Sequence, residues 1–297
     1  MSLKEKILNI YDKDYKKLLV IPMVILFLAI IQIIAQVVTT GDFVERDVNL
    51  KGGSTITILQ SIDINILQKF LQERFPDLDI GVREITYNGA QIGIGIESEA
   101  QEEKDINFIV STVREKLNFG DYTVEITGSS LGSSFFRQAV IAMILAFVLM
   151  AIVVFIYFRT PIPSLALILC ALSDIVETLA IFNLLGMKLS SAGIAAFLML
   201  VGYSIDNNIL LTARLIKRTE GTLLDRTLGA LRTGMVMTTT TITVSIAALI
   251  FTNNEVIRQI MTIILIAQFA DIINTWVQNT AILRIYLEKK HGIKQSS

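Results

Sequence analysis

Residues 189–211 read LSSAGIAAFLMLVGYSIDNNILL. An α-helix needs about 20 apolar residues to cross a hydrocarbon core roughly 30 Å thick, and this stretch is long enough. Its second half nevertheless carries Asp206, Asn207 and Asn208. An ionisable side chain at membrane depth is costly and points to function. The stretch therefore reads as a helix inside a multi-helix membrane bundle, with polar surfaces turned toward its neighbours, and not as a plain anchor.

The rest of the chain agrees. Its 297 residues are 53% hydrophobic and only 18% charged, with a mean hydropathy of +0.61; soluble domains carry about 25% charge. The net charge of −1 gives no field for nucleic acid. Cys170 is alone, so no internal disulfide forms, and the single His291 lies in a polar tail. Catalysis through a histidine relay and a Cys/His metal site are both excluded.

Six spans are predicted, at 18–38, 135–158, 163–185, 189–211, 231–251 and 257–285. The first is too long for a signal-peptide core and reads as a retained helix. Residues 1–17, the 212–230 loop and the 286–297 tail hold Lys4, Lys6, Lys13, Lys16, Lys17, Arg214, Lys217, Arg218, Arg226, Lys289, Lys290 and Lys294, and Arg159 follows the second span. Cytoplasmic loops are rich in Lys and Arg, so both termini are expected in the cytoplasm of a multi-pass cytoplasmic-membrane protein. Residues 39–133 are then expected outside.

That outer segment regains charge, with more acidic than basic residues. Residues 54–59 alternate as a strand. Residues 63–75 have helical spacing at Ile66, Leu67, Phe70 and Leu71, with Asp63 as cap and Pro76 and Asp77 as the break. Residues 79–87 and 90–96 read as strands joined by a tight Asn88-Gly89 turn. Residues 105–117 read as a helix, and 121–127 as a strand with Tyr122, Val124 and Ile126 alternating. The order β-α-β-β-α-β predicts a ferredoxin-like α+β domain, with no aromatic platform for RNA. Lys51-Gly52-Gly53 opens into a strand and not a helix, so it reads as a tight bend rather than a phosphate cradle.

Inside the spans, Asp174 and Glu177 share a face with Cys170 and Ile181. Gly202 lies one turn from Asp206, where a partner helix could approach closely. Arg232 stands near the start of the fifth span, followed by Gly234, Thr238, Thr241 and Ser245 on one face. Gln268, Asp271, Thr275 and Gln278 line the sixth. These stripes are expected to face one another. A desolvated carboxylate can take up and release a proton as its surroundings change, so Asp206, Asp174, Glu177 and Asp271 are candidates for proton coupling, with Arg232 as a fixed counter-ion. Each also reads as structural: the carboxylates as helix-to-helix acceptors, Arg232 as a snorkelling side chain, and the threonines as packing glue. No nucleophile–base pair, metal triad or phosphate loop is present, so the chain reads as a non-enzyme without a resident metal or cofactor.

The chain resembles the SecF family, the smaller subunits of the SecDF protein-export complex within the RND superfamily. One long loop after the first span followed by five more spans is similar to half of an RND-type unit. The family's D-x-x-L-K-G-G pattern is matched by Asp47-Val-Asn-Leu50-Lys51-Gly52-Gly53. The third span matches at Asp174 and Leu184-Leu185-Gly186. The fourth matches at Gly202-Tyr203-Ser204 with Asp206-Asn207-Asn208, then Arg214. The fifth matches at Arg232-Thr233 and Thr238 to Thr241. Bacterial members read Asn-Asp where this chain reads Asp206-Asn207. The sixth span has Asn274-Thr-Trp-Val277 where the family usually reads Gly-Thr-Tyr-Ser, and the 212–230 loop is short; these features resemble the archaeal branch. The resemblance implies pairing with SecD into twelve helices, association with the SecY/SecE channel, help to a translocating unfolded preprotein, and protons as the coupling ion. An alternative in the same superfamily is a proton-coupled exporter of small molecules or lipids, for which the outer segment is small.

Overall fold

A computed structural model describes residues 14–76, 78–87, 90–218, 220–252 and 254–291. The expected Asn88-Gly89 turn, Asp77, and Lys4, Lys6, Lys13 and Lys294 lie outside these. Six helical segments are long and apolar enough to cross a membrane. They are α1 (Val20–Thr40, with the turn Tyr15–Leu18 before it), α4 (Ser129–Phe158), α5 (Pro161–Leu184), α6 (Ser191–Lys217), α7 (Leu223–Phe251), and a last span of α8 (Glu255–Ile273), a π-helical turn (Asn274–Asn279) and α9 (Thr280–His291). The protein is a multi-pass membrane protein.

Several boundaries move outward. Helix α4 begins at Ser129 and α7 at Leu223, because Thr222 and Asp225 form a reciprocal capping box at the start of α7. The expected 212–230 loop is thereby reduced to the few residues between Lys217 and Leu223. Pro161 opens α5 at a position where its missing N–H is no loss.

Between α1 and α4 lie β1 (Gly53–Ile58), α2 (Ile64–Arg74), β2 (Ile80–Tyr87), β3 (Ala90–Ser98), α3 (Glu103–Leu117) and β4 (Tyr122–Thr127). The sheet is antiparallel in the order β2-β3-β1-β4, the ferredoxin-like arrangement. Asp63 caps α2 by accepting from the N–H groups of Asn65 and Ile66. The core is Ile56, Ile58, Leu67, Leu71, Ile94, Ile96, Ile109 and Val113. Ile66, spaced with the core residues of α2, is exposed, and so are Ile92, on one strand face with buried Ile94 and Ile96, and Ile126 on the edge strand β4.

In the bundle, α5, α6 and α8 pack on one another, with α1 outside α5, α4 beside α5 and α6, and α7 beside α6 and α8. The α+β domain is tied to one end. Asp47 N–H donates to the Leu189 carbonyl at 2.9 Å, and Leu189 N–H to the Glu45 carbonyl at 2.7 Å. Lys188 contacts the Asp79 carboxylate at 2.5 Å. At the opposite end the Tyr15 hydroxyl donates to Glu288 at 2.5 Å.

The Asp47–Gly53 motif is more than a bend. Leu50 is fully buried, and Gly52 has φ +94°. A Cβ on Gly52 would sit 2.3 Å from Ser129 Cα, and one on Gly132 would sit 3.0 Å from the Leu50 carbonyl. The motif thus seats the domain against the first turn of α4.

Candidate functional site

The sequence of α6 decides what faces inward. Gly193, Ala196, Phe197, Leu200, Val201, Ser204, Asn207, Asn208, Leu211 and Thr212 are buried at helical spacing. Ser204 and Asn207 therefore point at α5 and α8. The Ser204 hydroxyl donates to Asp174 Oδ2. Asn207 donates through Nδ2 to Asp271 Oδ2 at 2.6 Å and to Thr238 Oγ1 at 3.0 Å. Thr275 donates to Asp271 Oδ1 at 2.6 Å.

The last span contributes the centre of the network. Asn274, at the start of the π-helical turn, donates through Nδ2 to Asp174 Oδ1 at 2.8 Å and to Glu177 Oε2 at 2.9 Å. The Cys170 thiol reaches the Asn274 carbonyl at 3.5 Å. Asn279 donates to Asn208 Oδ1 at 2.6 Å, and Asn208 to the Ser204 carbonyl at 2.8 Å. Gln278 reaches Ser173 at 3.3 Å. Wide π turns recur at functional sites because they re-aim side chains. Here the turn buries Asn274, Thr275, Trp276, Gln278 and Asn279 together, a set wider than the single stripe of a one-sided helix.

Asp174, Glu177 and Asp271 are buried and held by neutral amide and hydroxyl donors, with no cation at ion-pair distance among the described residues. Ser and Thr hydroxyls donate or accept, so such a site can be satisfied with or without a proton on the acid. Glu177 Oε1, Asn207 Oδ1 and Asn274 Oδ1 are buried acceptors with no hydrogen-bond donor among the described residues. Cys170 is buried in the same place. Among the described residues no cluster of His, Cys, Asp and Glu fits a metal ion.

The structure corrects the expected pairing of Asp206 with Arg232. Both are exposed, and neither makes an ion pair among the described residues. Asp206 falls off the buried stripe of α6, between Ser204 and Asn207, and shares a bare face with Gly202 and Tyr203. Arg232 lies two residues past buried Ala230 and two before buried Gly234, on the outer side of α7. Ile181 likewise leaves the Asp174–Glu177 stripe and is exposed. Thr238 joins the network, whereas Thr241 bonds back to its own helix at the Met237 carbonyl. Ser204 and Asn274 are the bridging groups that spacing alone did not single out.

The family described as Protein export membrane protein SecD/SecF, C-terminal, matches residues 109–289. The Protein-export membrane protein SecF of Pyrococcus furiosus is 36% identical over 98% of this chain and 97% of its own length. That of Methanocaldococcus jannaschii is 37% identical over 95% of this chain and 99% of its own. The solved structure of SecDF, a translocon-associated membrane protein from Thermus thermophilus, superposes with a TM-score of 0.72 at 18% identity. It covers 92% of this chain, which spans 38% of the SecDF chain. The chain belongs to the SecD/SecF family of protein-export membrane proteins.

Proposed function

We propose that this chain is the SecF-type half of a SecD-paired unit that assists Sec-dependent protein translocation, using a proton gradient and no catalytic chemistry of its own. The observation that carries this reading is the position of Asp206. It stands on the outer surface of α6 in the middle of a membrane span, beside Gly202, whose missing side chain leaves open space. A carboxylate facing lipid costs at least ~2.5 kcal/mol, so the bare face of α6 and α7 fits a protein neighbour better than acyl chains. SecD is that neighbour in this reading, and Arg232 on α7 would meet the same interface.

The buried cluster supports the coupling role. Asp174, Glu177 and Asp271 join α5, α6 and the last span through neutral donors, so a proton gained or lost there changes how these three helices are held together. The α5–α6 turn that follows carries Lys188 and Leu189, which bond to the α+β domain. A shift of α5 against α6 would reach that domain directly. In this reading the domain lies on the exterior side and both termini lie in the cytoplasm, where Lys16, Lys17, Arg159, Arg214, Lys217, Lys289 and Lys290 satisfy the positive-inside tendency. SecY and SecE are the expected channel partners, and an unfolded preprotein is the cargo.

The test is a pair of variants. Asp174→Asn, in the buried cluster, should lower export in cells while SecD still co-purifies, and normal export in this variant would sink the coupling assignment; Asp206→Asn, on the bare face, should weaken SecD co-purification. Purification from native membranes without recovery of SecD would sink the pairing.

A further inference from the structure

Between the α+β domain and the adjoining loop ends of the bundle lies a cleft of about 900 Å³. Its wall includes β2, an edge strand of the sheet. An edge strand presents a row of backbone groups with no strand neighbour. Two of these in β2 are already engaged, and not by a strand. Gln68 of α2 donates through Nε2 to the Ile80 carbonyl at 2.9 Å, and accepts from the Val82 N–H at 2.6 Å. One amide that bridges the C=O of residue i and the N–H of residue i+2 reproduces what a residue of a parallel neighbouring strand would do.

Backbone groups of alternate residues point to the same side of a strand. The Val82 carbonyl and both backbone groups of Glu84 therefore face outward with Ile80, up to the register shift between Ile85 and Thr86. Glu84 is exposed. The cleft is also acidic. Glu45, Asp47 and Glu84 line it without an ion pair, against one cation in the same condition, Arg258, whereas Lys188 is bound to Asp79 and Arg83 to Glu97 and Glu255.

We infer that this cleft receives an extended polypeptide segment bearing basic side chains, laid as a parallel fifth strand along β2, with Gln68 yielding its place to the incoming backbone. Strand addition takes its affinity from main-chain hydrogen bonds and is therefore tolerant of sequence. The carboxylates then select against acidic segments. The inference deepens the proposed export role by giving the cargo a place to be held, and rests on that role for the natural ligand alone.

The experiment uses the full chain in detergent and a labelled unstructured peptide alternating lysine with valine, read by fluorescence anisotropy. Binding should be weakened about tenfold by N-methylation of alternate peptide nitrogens, because each lost donor removes a main-chain bond. Glu84→Pro removes an outward-facing N–H, which an edge strand tolerates, together with the carboxylate, and should weaken binding about tenfold relative to Glu84→Gln, which lacks the carboxylate alone. Glu84→Gln keeps that N–H and should bind more nearly like the parent at high salt. Gln68→Ala should tighten binding several-fold by freeing the edge, and a peptide alternating glutamate with valine should bind worst. No binding by the unaltered chain, or equal binding of the N-methylated peptide, overturns the inference. Because SecD is absent from this assay, such a failure leaves the export reading standing, and loss of SecD pairing leaves the cleft standing.

Discussion

Asn274 donates its side-chain amide to Asp174 at 2.8 Å across 100 positions of sequence. The same nitrogen reaches Glu177 at 2.9 Å, so one neutral group serves two buried acids on α5. Replacing Asn274 with leucine keeps the branched shape and removes the donor. Leaving a buried acceptor unsatisfied costs about 1–3 kcal/mol per group. Asn274→Leu should therefore lower the midpoint of thermal unfolding in detergent, and Asn274→Gln should recover part of the loss. An unfolding midpoint unchanged in Asn274→Leu would show that the amide carries none of the α5-to-last-span connection.

Gly234 and Trp276 give a second, purely steric relationship. A Cβ on Gly234 would lie 2.3 Å from Trp276 Cζ2 and 3.0 Å from Asn207 Oδ1. The indole is rigid and belongs to the buried π turn, so it must shift bodily. Overpacking of this kind costs about 1–3 kcal/mol. Gly234→Ala should destabilise α7 against the last span, and Gly234→Ala with Trp276→Phe should restore stability. The chain has a single tryptophan, so its emission reports the shift without interference. An unchanged spectrum in Gly234→Ala would refute the contact.

Much of this was readable from residues. Apolar length gave all six spans, and strand alternation with the Asp63 cap gave the order of the α+β domain. The polar stripes named Asp174, Glu177, Asp271 and Thr238, and Asn207 appeared only as the neighbour of Asp206. What failed was rotation about the helix axis. Asp206 and Asn207 are neighbours in sequence but about 100° apart on α6, and only packing against α5 and α8 decides which faces inward. The π turn was hidden for a related reason. The polar run Asn274, Thr275, Gln278, Asn279, Thr280 is too broad for one stripe of a regular helix, and that breadth was its signal. The domain-to-bundle contacts at Asp47, Asp79 and Lys188 lie far apart in sequence and follow no periodicity.

The Lys188–Asp79 ion pair joins the α5–α6 turn to the α+β domain at 2.5 Å, with both side chains more than a third exposed. Such surface pairs contribute about 0–1 kcal/mol and weaken with salt. Lys188→Ala should leave the unfolding midpoint nearly unchanged. It should nonetheless broaden the distance distribution between spin labels placed on α3 and on the Pro161 end of α5. High salt should broaden the parent in the same way. A large loss of stability in Lys188→Ala, or a distribution insensitive to both changes, would contradict a weak tether.

Glu97 provides the pH dependence. Burial pushes its carboxyl up to about 7; the nearby charge of Asp47 adds to this, Arg83 at 2.9 Å opposes it, and Glu255 adds a smaller rise. The folded value lies above the ordinary 4.5, so between these two pH values the folded state holds a proton that the unfolded chain has released. Stability is then greatest below the unfolded value. It falls as pH rises toward 7 and flattens beyond, with a total change on the order of 1–3 kcal/mol. Unfolding of the α+β domain within the intact chain should therefore be easier at pH 8 than at pH 5, and Glu97→Gln should remove that difference. If the variant keeps the full slope, the titrating group lies elsewhere. If the parent has the opposite slope, the Arg83 ion pair outweighs burial at this position.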